Sequence, residues 1–336
     1  MNIFKFWHLI GIYQLSRQQK LLLQACISEE RIVIRSWNEW KQLVDIENLD
    51  NCSNALLCQL YHNLSANQVE DWHMTRLKGV YKQNWYNNQL LFKKLQTILQ
   101  TFKATGVEAV VLGDAALVLG YCQDLGQLSL GELTLLIHPG DGQKAIATLA
   151  ELGWTQSQTS QSIMNNEDLC LQFQDRAGTR LNLQAHLFWA MPQEHTDKEL
   201  WHNSLSSFVG CVNTHIPSST DLFLNLSTRT FYQNQTTTAS LFVSAMVLLQ
   251  QNREPIDWIR LVTQAQKYQA ILPLRNMLVT LRKLFAVSVP DWVVPALWQM
   301  PIARQEFLRY QVLPHSKKAI LQSILWRSAN SLKMTQ

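Results

Sequence analysis

The stretch that decides the fold runs from Val110 to Trp154 and reads VVLGDAALVLGYCQDLGQLSLGELTLLIHPGDGQKAIATLAELGW. It opens with a short, almost wholly apolar run, which is typical of a buried strand. A turn of small residues, a short helix, a second strand that ends before Pro139 and another helix that Gly153 closes follow in that order. We therefore predict a strand–helix–strand–helix unit, with Asp114 as the cap of its first helix and Asp141 just before its second.

Helical patterns flank this unit. Apolar residues recur at spacings of three and four from residue 16 to about residue 105, with Ser16 as the N-cap and Gly106 just past the last helix. Two strand patterns around a turn at 175–178 predict a hairpin. From Ser218 onward the pattern is helical again, and prolines break its last part into short helices: Pro290, Pro295, Pro301 and Pro314.

The sequence thus predicts an α+β protein in three parts. These are an N-terminal helical region (1–105), a small domain with a mixed sheet (106–216) and a C-terminal helical domain (217–336).

Composition indicates a compact globular protein. Of the 336 residues, 47% are hydrophobic and 16% are charged, which is too apolar for a disordered chain. The net charge of +4 comes from lysines and arginines that form no run longer than a pair, so we expect no nucleic-acid surface. The six cysteines include no Cys-x-x-Cys pair, which favours buried thiols over disulfides or a zinc site.

No segment of the sequence has the pattern of a membrane span or a signal peptide. The run ASLFVSAMVLL has 11 residues, too few to cross a bilayer. The N-terminal MNIFKFWHLIGIYQL lacks the cleavage site of a signal peptide, although its aromatic residues leave a membrane-surface role open. The sequence therefore predicts a cytoplasmic protein without a transmembrane segment.

Several longer motifs occur in a characteristic order and spacing. They are WNEW (37–40), LKGVYKQNWYNNQLL (77–91), LFKKLQTILQTFKATGVEAVVL (91–112), LQFQDRAGTRLNLQAHLFW (171–189), LWHNSLSSFVGCVNTHIPSSTDLFLNL (200–226) and PIDWIRLVTQAQKYQAILPLRNML (255–278). With these motifs the chain resembles, from about Leu21 to Leu297, the uncharacterised nucleotidyltransferase family found beside biosynthetic genes in bacteria. The resemblance implies a minimal nucleotidyltransferase fold flanked by helices.

The polar signature of that family is largely missing from this chain. Where the family has Lys-Gly-Ala-Ala-Leu, this sequence has Gly113 and Asp114 but no lysine. The family's Arg-Pro-Met-x-Asp-hydrophobic-Asp matches residues 128–134, with Glu132 and Thr134 in the aspartate positions, and Asn182 takes the place of a third carboxylate. The resemblance also implies that a histidine pair is replaced by Asn225 and Arg229, and an Arg-Trp-x-x-Asp element by Ser240, Leu241 and Ser244.

These replacements alter the chemistry that the resemblance implies. Nucleotidyl transfer of this type uses Mg²⁺ ions held by carboxylates, which neutralise the triphosphate and activate the acceptor. With Glu132, Thr134 and Asn182 as the remnant catalytic positions, the ligand charge falls from about −3 to about −1, and several kcal/mol of stabilisation are lost. We therefore predict a pseudoenzyme without a cofactor that acts as the binding or regulatory partner of another protein.

Two alternatives stay open at this point. The first is an active enzyme with rearranged metal ligands, Glu132 and Asp114, that uses Mg²⁺ and a nucleoside triphosphate to modify a protein or a small molecule, with Gly113 and Asp114 as the remnant of a phosphate-binding turn. The second is a structural scaffold without nucleotide contacts.

Each candidate residue also has a structural interpretation. Asp114 suits helix capping, Glu132 a solvated strand edge, His138 a loop without a role and His186 a hydrogen-bonded structural position. For the tryptophans we predict core packing, not ligand stacking: Trp85, Trp154, Trp189, Trp201 and Trp258.

Overall fold

The computed structural model describes residues 15–122, 124–157, 170–187, 197–232, 238–251, 253–285 and 287–307. Trp189 and Pro314 lie outside the described residues, so the predictions made for them are not addressed by the structure.

Four helices precede the sheet: α1 (Arg17–Ile27), α2 (Glu30–Leu43), α3 (Asn51–Ala66) and α4 (Met74–Ala104). The predicted cap of α1 is confirmed, because Ser16 Oγ accepts from the backbone N–H of Gln19 and the Gln19 side chain accepts from the Ser16 N–H. The predicted end of α4 is also confirmed. Gly106 has a φ of +71°, and the N–H of Val107 donates to Phe102 O (2.8 Å), so the chain leaves the helix through a left-handed turn.

A buried carboxylate ties α2 to the start of α4. Asp71, whose side chain is only 5% exposed, accepts from Lys41 Nζ (2.5 Å) and Trp37 Nε1 (3.1 Å), and lies 2.7 Å from His73 Nδ1. Burial alone would raise the pKa of Asp71, but hydrogen bonds from Lys41, His73 and Trp37 outweigh it and hold the pKa well below its usual range. The carboxylate is therefore charged at neutral pH and fixes the packing of the two helices.

The middle of the chain forms one seven-stranded mixed sheet with the order β3-β4-β5-β2-β1-β7-β6. Its strands are β1 (Ala109–Leu112), β2 (Leu133–Ile137), β3 (Thr155–Gln156), β4 (Cys170–Gln174), β5 (Arg180–Gln184), β6 (Leu205–Val209) and β7 (Val212–Ile216). Three helices connect them: α5 (Gly113–Gly120), α6 (Gly142–Glu151) and α7 (Asp197–Asn203).

The hairpin predicted around residues 175–178 is present as β4 and β5. Asp175 accepts from the backbone N–H groups of Ala177 and Thr179, and Gly178 has a φ of +81°, which favours glycine. Lys94 of α4 holds the turn through Asp175 (2.6 Å). The residues from which the turn was predicted are thus the residues that form it.

A second hairpin, β6 and β7, was not predicted. It turns at Gly210 (φ +60°), and β7 alternates between buried and exposed residues, with Val212, Thr214 and Ile216 buried. β7 lies parallel to β1 and extends the sheet by two strands. The alternation was readable in the sequence, but the place of the hairpin beside β1 depends on contacts more than 100 residues apart.

The C-terminal part is helical, as predicted. It contains α8 (Ser219–Tyr232), α9 (Thr238–Gln250), α10 (Trp258–Lys267), α11 (Ile271–Leu284) and α12 (Val293–Gln299). α9 packs on α8 and also on α1, so the two helical parts touch. Pro290 and Pro301 bracket α12, but Pro295 lies inside its first turn, where its missing N–H removes no helical hydrogen bond. The prediction that Pro295 breaks a helix is wrong.

The prediction of an α+β protein with helices on both sides of a mixed sheet is confirmed. The exact domain boundaries stay predictions. Among the tryptophans, Trp154 is buried and Trp201 and Trp258 are half-buried, whereas Trp85 is 44% exposed, so the prediction of core packing is wrong for Trp85. Among the described residues, no helix combines the length and hydropathy that crossing a membrane requires.

We predict that Asp71→Asn lowers the free energy of unfolding by about 2–4 kcal/mol at pH 7, because it leaves buried donors without their charged acceptor. Since the folded pKa of Asp71 is depressed, its contribution is complete above the unfolded pKa of about 3.9 and is lost as pH falls below it. Urea denaturation of wild type and variant should therefore differ least in acid.

Glu47→Gln is the matched control for Asp71→Asn. Glu47 also pairs with a cation, Arg76, but is 70% exposed, so its loss should cost less than about 1 kcal/mol. Equal effects of the two substitutions would contradict the role assigned to Asp71.

Candidate functional site

The turn after β1 is the first element of the candidate site. Gly113 has a φ of +65°, and a Cβ at this position would lie 3.8 Å from Arg229 Nη1 and 3.9 Å from Thr134 Oγ1. α5 begins at Gly113 without a side-chain cap, and Asp114 lies in its first turn. The prediction that Asp114 caps this helix is therefore wrong, because Leu112, not Asp114, occupies the N-cap position.

Polar residues of three strands form one row beside this turn. The register pairs Leu112 with Thr134 on β2, Thr134 with Asn182 on β5, and Asn182 with Gln172 on β4. Paired residues point to the same face of a sheet, so the two remnant positions Thr134 and Asn182 are direct neighbours. Both are half-buried, and Asn182 Oδ1 accepts from Gln172 Nε2 (3.4 Å). The row brings together neutral side chains only.

A guanidinium from the C-terminal helices reaches this turn. Arg229 of α8 donates from Nη1 to Asp114 Oδ1 at 3.3 Å, with side chains 22% and 31% exposed. Asn225, one helical turn earlier, donates to Leu187 O (3.3 Å) at the end of the described stretch after β5. The two positions that the resemblance assigns to histidines therefore supply a cation at the turn and a backbone anchor.

Glu132 precedes β2 and is half-buried. Only Leu133 lies between it and Thr134, so strand alternation directs both side chains to the same face. Burial and, to a smaller extent, the negative charge of Glu132 together raise the pKa of the Cys170 thiol to about 11. The charge of Glu132 thus lies within electrostatic reach of Cys170 at the start of β4.

The two histidines singled out in the sequence have structural partners. His186 Nδ1 lies 2.6 Å from Asp197 Oδ2, and Asp197 also accepts from the Leu187 N–H, in agreement with a structural role. His138 stacks on Trp201 with ring centroids 3.8 Å apart, and its Nε2 lies 3.5 Å from Glu108 Oε2. Since His138 joins the loop after β2 to α7, it does more than the role-free loop residue that we expected.

The donor set at the turn does not fit the metal pair of a nucleotidyltransferase. Among the described residues, no group of three or more His, Cys, Asp or Glu side chains is placed to hold a metal ion. Of the two carboxylates proposed as ligands, Asp114 already faces Arg229. Mg²⁺ favours several hard oxygen ligands with negative charge, which Thr134 and Asn182 do not supply. The metal role of Glu132 and Asp114 stays a prediction.

Comparison with known proteins confirms the family that the sequence motifs indicated. A family model described as "uncharacterised nucleotidyltransferase" matches residues 37–286. The chain belongs to this family. The matched range begins inside α2, ends just after α11 and includes the whole sheet.

The other comparisons add little. No curated protein matches the chain. Among solved structures, it is similar to an antigenic nucleotidyltransferase-like protein from Paracoccidioides brasiliensis, with 11% identity, 65% of this chain and 96% of that chain covered, and a TM-score of 0.38. A likeness at that level carries no argument about activity.

Sequence reasoning missed the residues that position the segment leading into β2. Asn88 of α4 is fully buried; its Nδ2 donates to Leu125 O (2.6 Å) and Leu128 O (2.8 Å), and its Oδ1 accepts from the Leu130 N–H (3.3 Å). Asn84, one turn earlier, donates to Leu128 O (3.0 Å) and to the carbonyl of Gly126. The signal in the sequence that could have predicted this contact is the pair of asparagines four residues apart on the apolar face of the helix.

We predict that Asn88→Ala lowers the free energy of unfolding by about 2–4 kcal/mol, because buried backbone groups of the 125–130 segment lose their partners. Urea denaturation measures the change. The adjacent Asn87 is exposed, so Asn87→Ala should change stability by less than about 0.5 kcal/mol. If Asn88→Ala is as mild as its neighbour, the segment is held by other contacts.

Proposed function

We propose that this nucleotidyltransferase-family protein has lost metal-dependent nucleotidyl transfer and acts as a binding or regulatory partner of another protein. The observation that carries the proposal is the neutral row at the Gly113 turn, in which Thr134 and Asn182 face each other where the resemblance implies carboxylates.

Charge at the turn supports the proposal. The candidate groups are two carboxylates, Asp114 and Glu132, and one guanidinium, Arg229, which leaves a net charge of about −1 on the groups that would have to hold divalent cations. A triphosphate without metal ions would meet the Asp114 carboxylate beside the turn that should receive it. The groups present therefore suit neither the metal ions nor the bare nucleotide.

The Arg229–Asp114 pair further supports the loss of activity. A metal ion bound by Asp114 would have to displace a cation that is already 3.3 Å away and only 22% exposed. The competing proposal, an active enzyme that uses Glu132 and Asp114, requires that this pair separate on nucleotide binding. That requirement makes the two proposals experimentally distinct.

For the wild type, we expect no Mg²⁺- or Mn²⁺-dependent transfer of label from α-labelled ATP, GTP, CTP or UTP to protein or small acceptors. We also expect no thermal shift with these nucleotides. Metal-dependent transfer by the purified chain would refute the proposal and favour the rearranged site.

Restoring the carboxylates tests whether the frame still accepts nucleotide. In Thr134→Asp/Asn182→Asp, both new carboxylates lie on paired strands and on the same face as Glu132, so Mg²⁺-dependent ATP affinity measured by calorimetry should rise by about tenfold or more. Adding Arg229→His removes the competing cation and should raise it further.

The control for this rescue is Thr155→Asp/Asn213→Asp, which adds the same charge at exposed positions of β3 and β7. It should leave ATP affinity unchanged. Equal affinities for rescue and control variants, with thermal melting showing both folded, would mean that the turn no longer forms a nucleotide pocket.

A further inference from the structure

Helix α4 is strongly one-sided in charge. Its 31 residues include six lysines and arginines and no aspartate or glutamate. Two of these cations have carboxylate partners, since Arg76 pairs with Glu47 and Lys94 with Asp175. The other four are exposed, and within the described part of the chain no ion pair is found for them: Lys78, Lys82, Lys93 and Lys103.

Large apolar side chains lie between these lysines on the outside of the helix. Trp85, Tyr86 and Leu90 are 44%, 59% and 44% exposed. At about 3.6 residues per turn they point away from the buried stripe that includes Phe92 and Leu95. We call the outward surface formed by Lys78, Lys82, Trp85, Tyr86, Leu90 and Lys93 the α4 face.

We propose that the α4 face is the docking surface for an acidic surface of a partner protein. An aromatic and aliphatic centre with charged residues around it is the anatomy of a protein interface, and tryptophan and tyrosine are the side chains that contribute most to binding there. The lysines select a partner of opposite charge, because the helix presents no carboxylate of its own. The inference deepens the proposed function, since it names where the partner binds.

The charge density of the α4 face favours protein over nucleic acid. Lys78 and Lys93 are about 22 Å apart along the helix axis, a length over which duplex DNA carries about 13 phosphate charges. Three lysines on that length neutralise only a small part of them, and the one arginine of the helix, Arg76, is paired with Glu47.

The apolar content of the α4 face favours protein over membrane. A helix that lies in a membrane interface buries its whole apolar stripe in lipid. The apolar stripe of α4 is in the protein core, and the outward side offers three large apolar residues with the exposed amides of Gln83 and Asn87 beside them. An apolar centre surrounded by polar groups is typical of a protein interface.

The α4 face lies on the side of helix α4 opposite to residues 125–130, the segment that leads to the candidate site. Asn84 and Asn88, which hold the carbonyls of residues 125–128 from the inner side, are sequence neighbours of Trp85 and of the exposed Asn87. A partner on the α4 face would therefore contact the same helical turns that fix the approach to Glu132.

The test uses the full chain and three fluorescein-labelled probes in low salt. They are an acidic peptide of about 20 residues with glutamate, leucine and phenylalanine at helical spacing, a single-stranded oligonucleotide of similar length, and vesicles with phosphatidylserine. Fluorescence anisotropy measures peptide and oligonucleotide binding, and co-sedimentation measures vesicle binding. The wild type should bind the acidic peptide most tightly.

Charge-reversal variants distinguish binding at the α4 face from a general effect of the protein's net charge. Lys78→Glu/Lys82→Glu/Lys93→Glu should weaken peptide binding by about tenfold or more, whereas the control Lys20→Glu/Lys144→Glu/Lys283→Glu, with the same change in net charge at other exposed lysines, should weaken it by less than about threefold.

Aromatic truncation tests the centre of the α4 face. Trp85→Ala/Tyr86→Ala should weaken binding by about tenfold, and Trp72→Ala/Phe208→Ala, which removes aromatic side chains that are 79% and 62% exposed elsewhere, should not. Equal losses for test and control variants, tighter binding of oligonucleotide or vesicle, or no peptide binding would overturn the inference. No nucleoside triphosphate is present, so these results are independent of the transfer assay.

Discussion

The alignment of β1, β2 and β5 is the constraint on which the candidate site depends. Because side chains alternate along a strand, a slip of one residue would move Thr134 or Asn182 to the other face of the sheet. That other face carries Val111, Leu135 and Leu183, which are all fully buried, so a slip would expose apolar residues and bury polar ones. The register is therefore fixed by residues that take no part in any chemistry.

This separation means that the polar residues of the site can differ without loss of the fold. Carboxylates held close together for a metal ion repel one another when the ion is absent. Thr134 and Asn182 remove that repulsion, and Arg229 offsets the charge of Asp114. The Asp114 charge is thus offset without a divalent cation, and the apolar row on the other face of the sheet is unaffected.

The sequence predicts elements whose signals are local. The cap at Ser16, the left-handed end at Gly106 and the hairpin turn at Asp175 each depend on residues within one turn of chain, and all three are present. The partner of Asp114 is 115 residues away, and the carbonyls that Asn88 holds are about 40 residues away, so no local pattern specified them. The prediction for Trp85 is wrong for a related reason. Its residue type suggests burial, but its position around helix α4 directs the side chain away from the core.

Helix α4 connects its exposed outer side to the 125–130 segment on its inner side, so we ask whether binding on the outer side can change the conformation of that segment. A partner shifts a conformational equilibrium only as far as it binds one conformation better than another. Asn88 makes three hydrogen bonds to the 125–130 segment and is fully buried, so a second arrangement of that segment would leave several backbone groups without partners. Such a state would be sparsely populated, so the inner side of α4 keeps the segment in place. If the proposed partner binds the α4 face, it therefore meets a rigid surface and does not switch the segment.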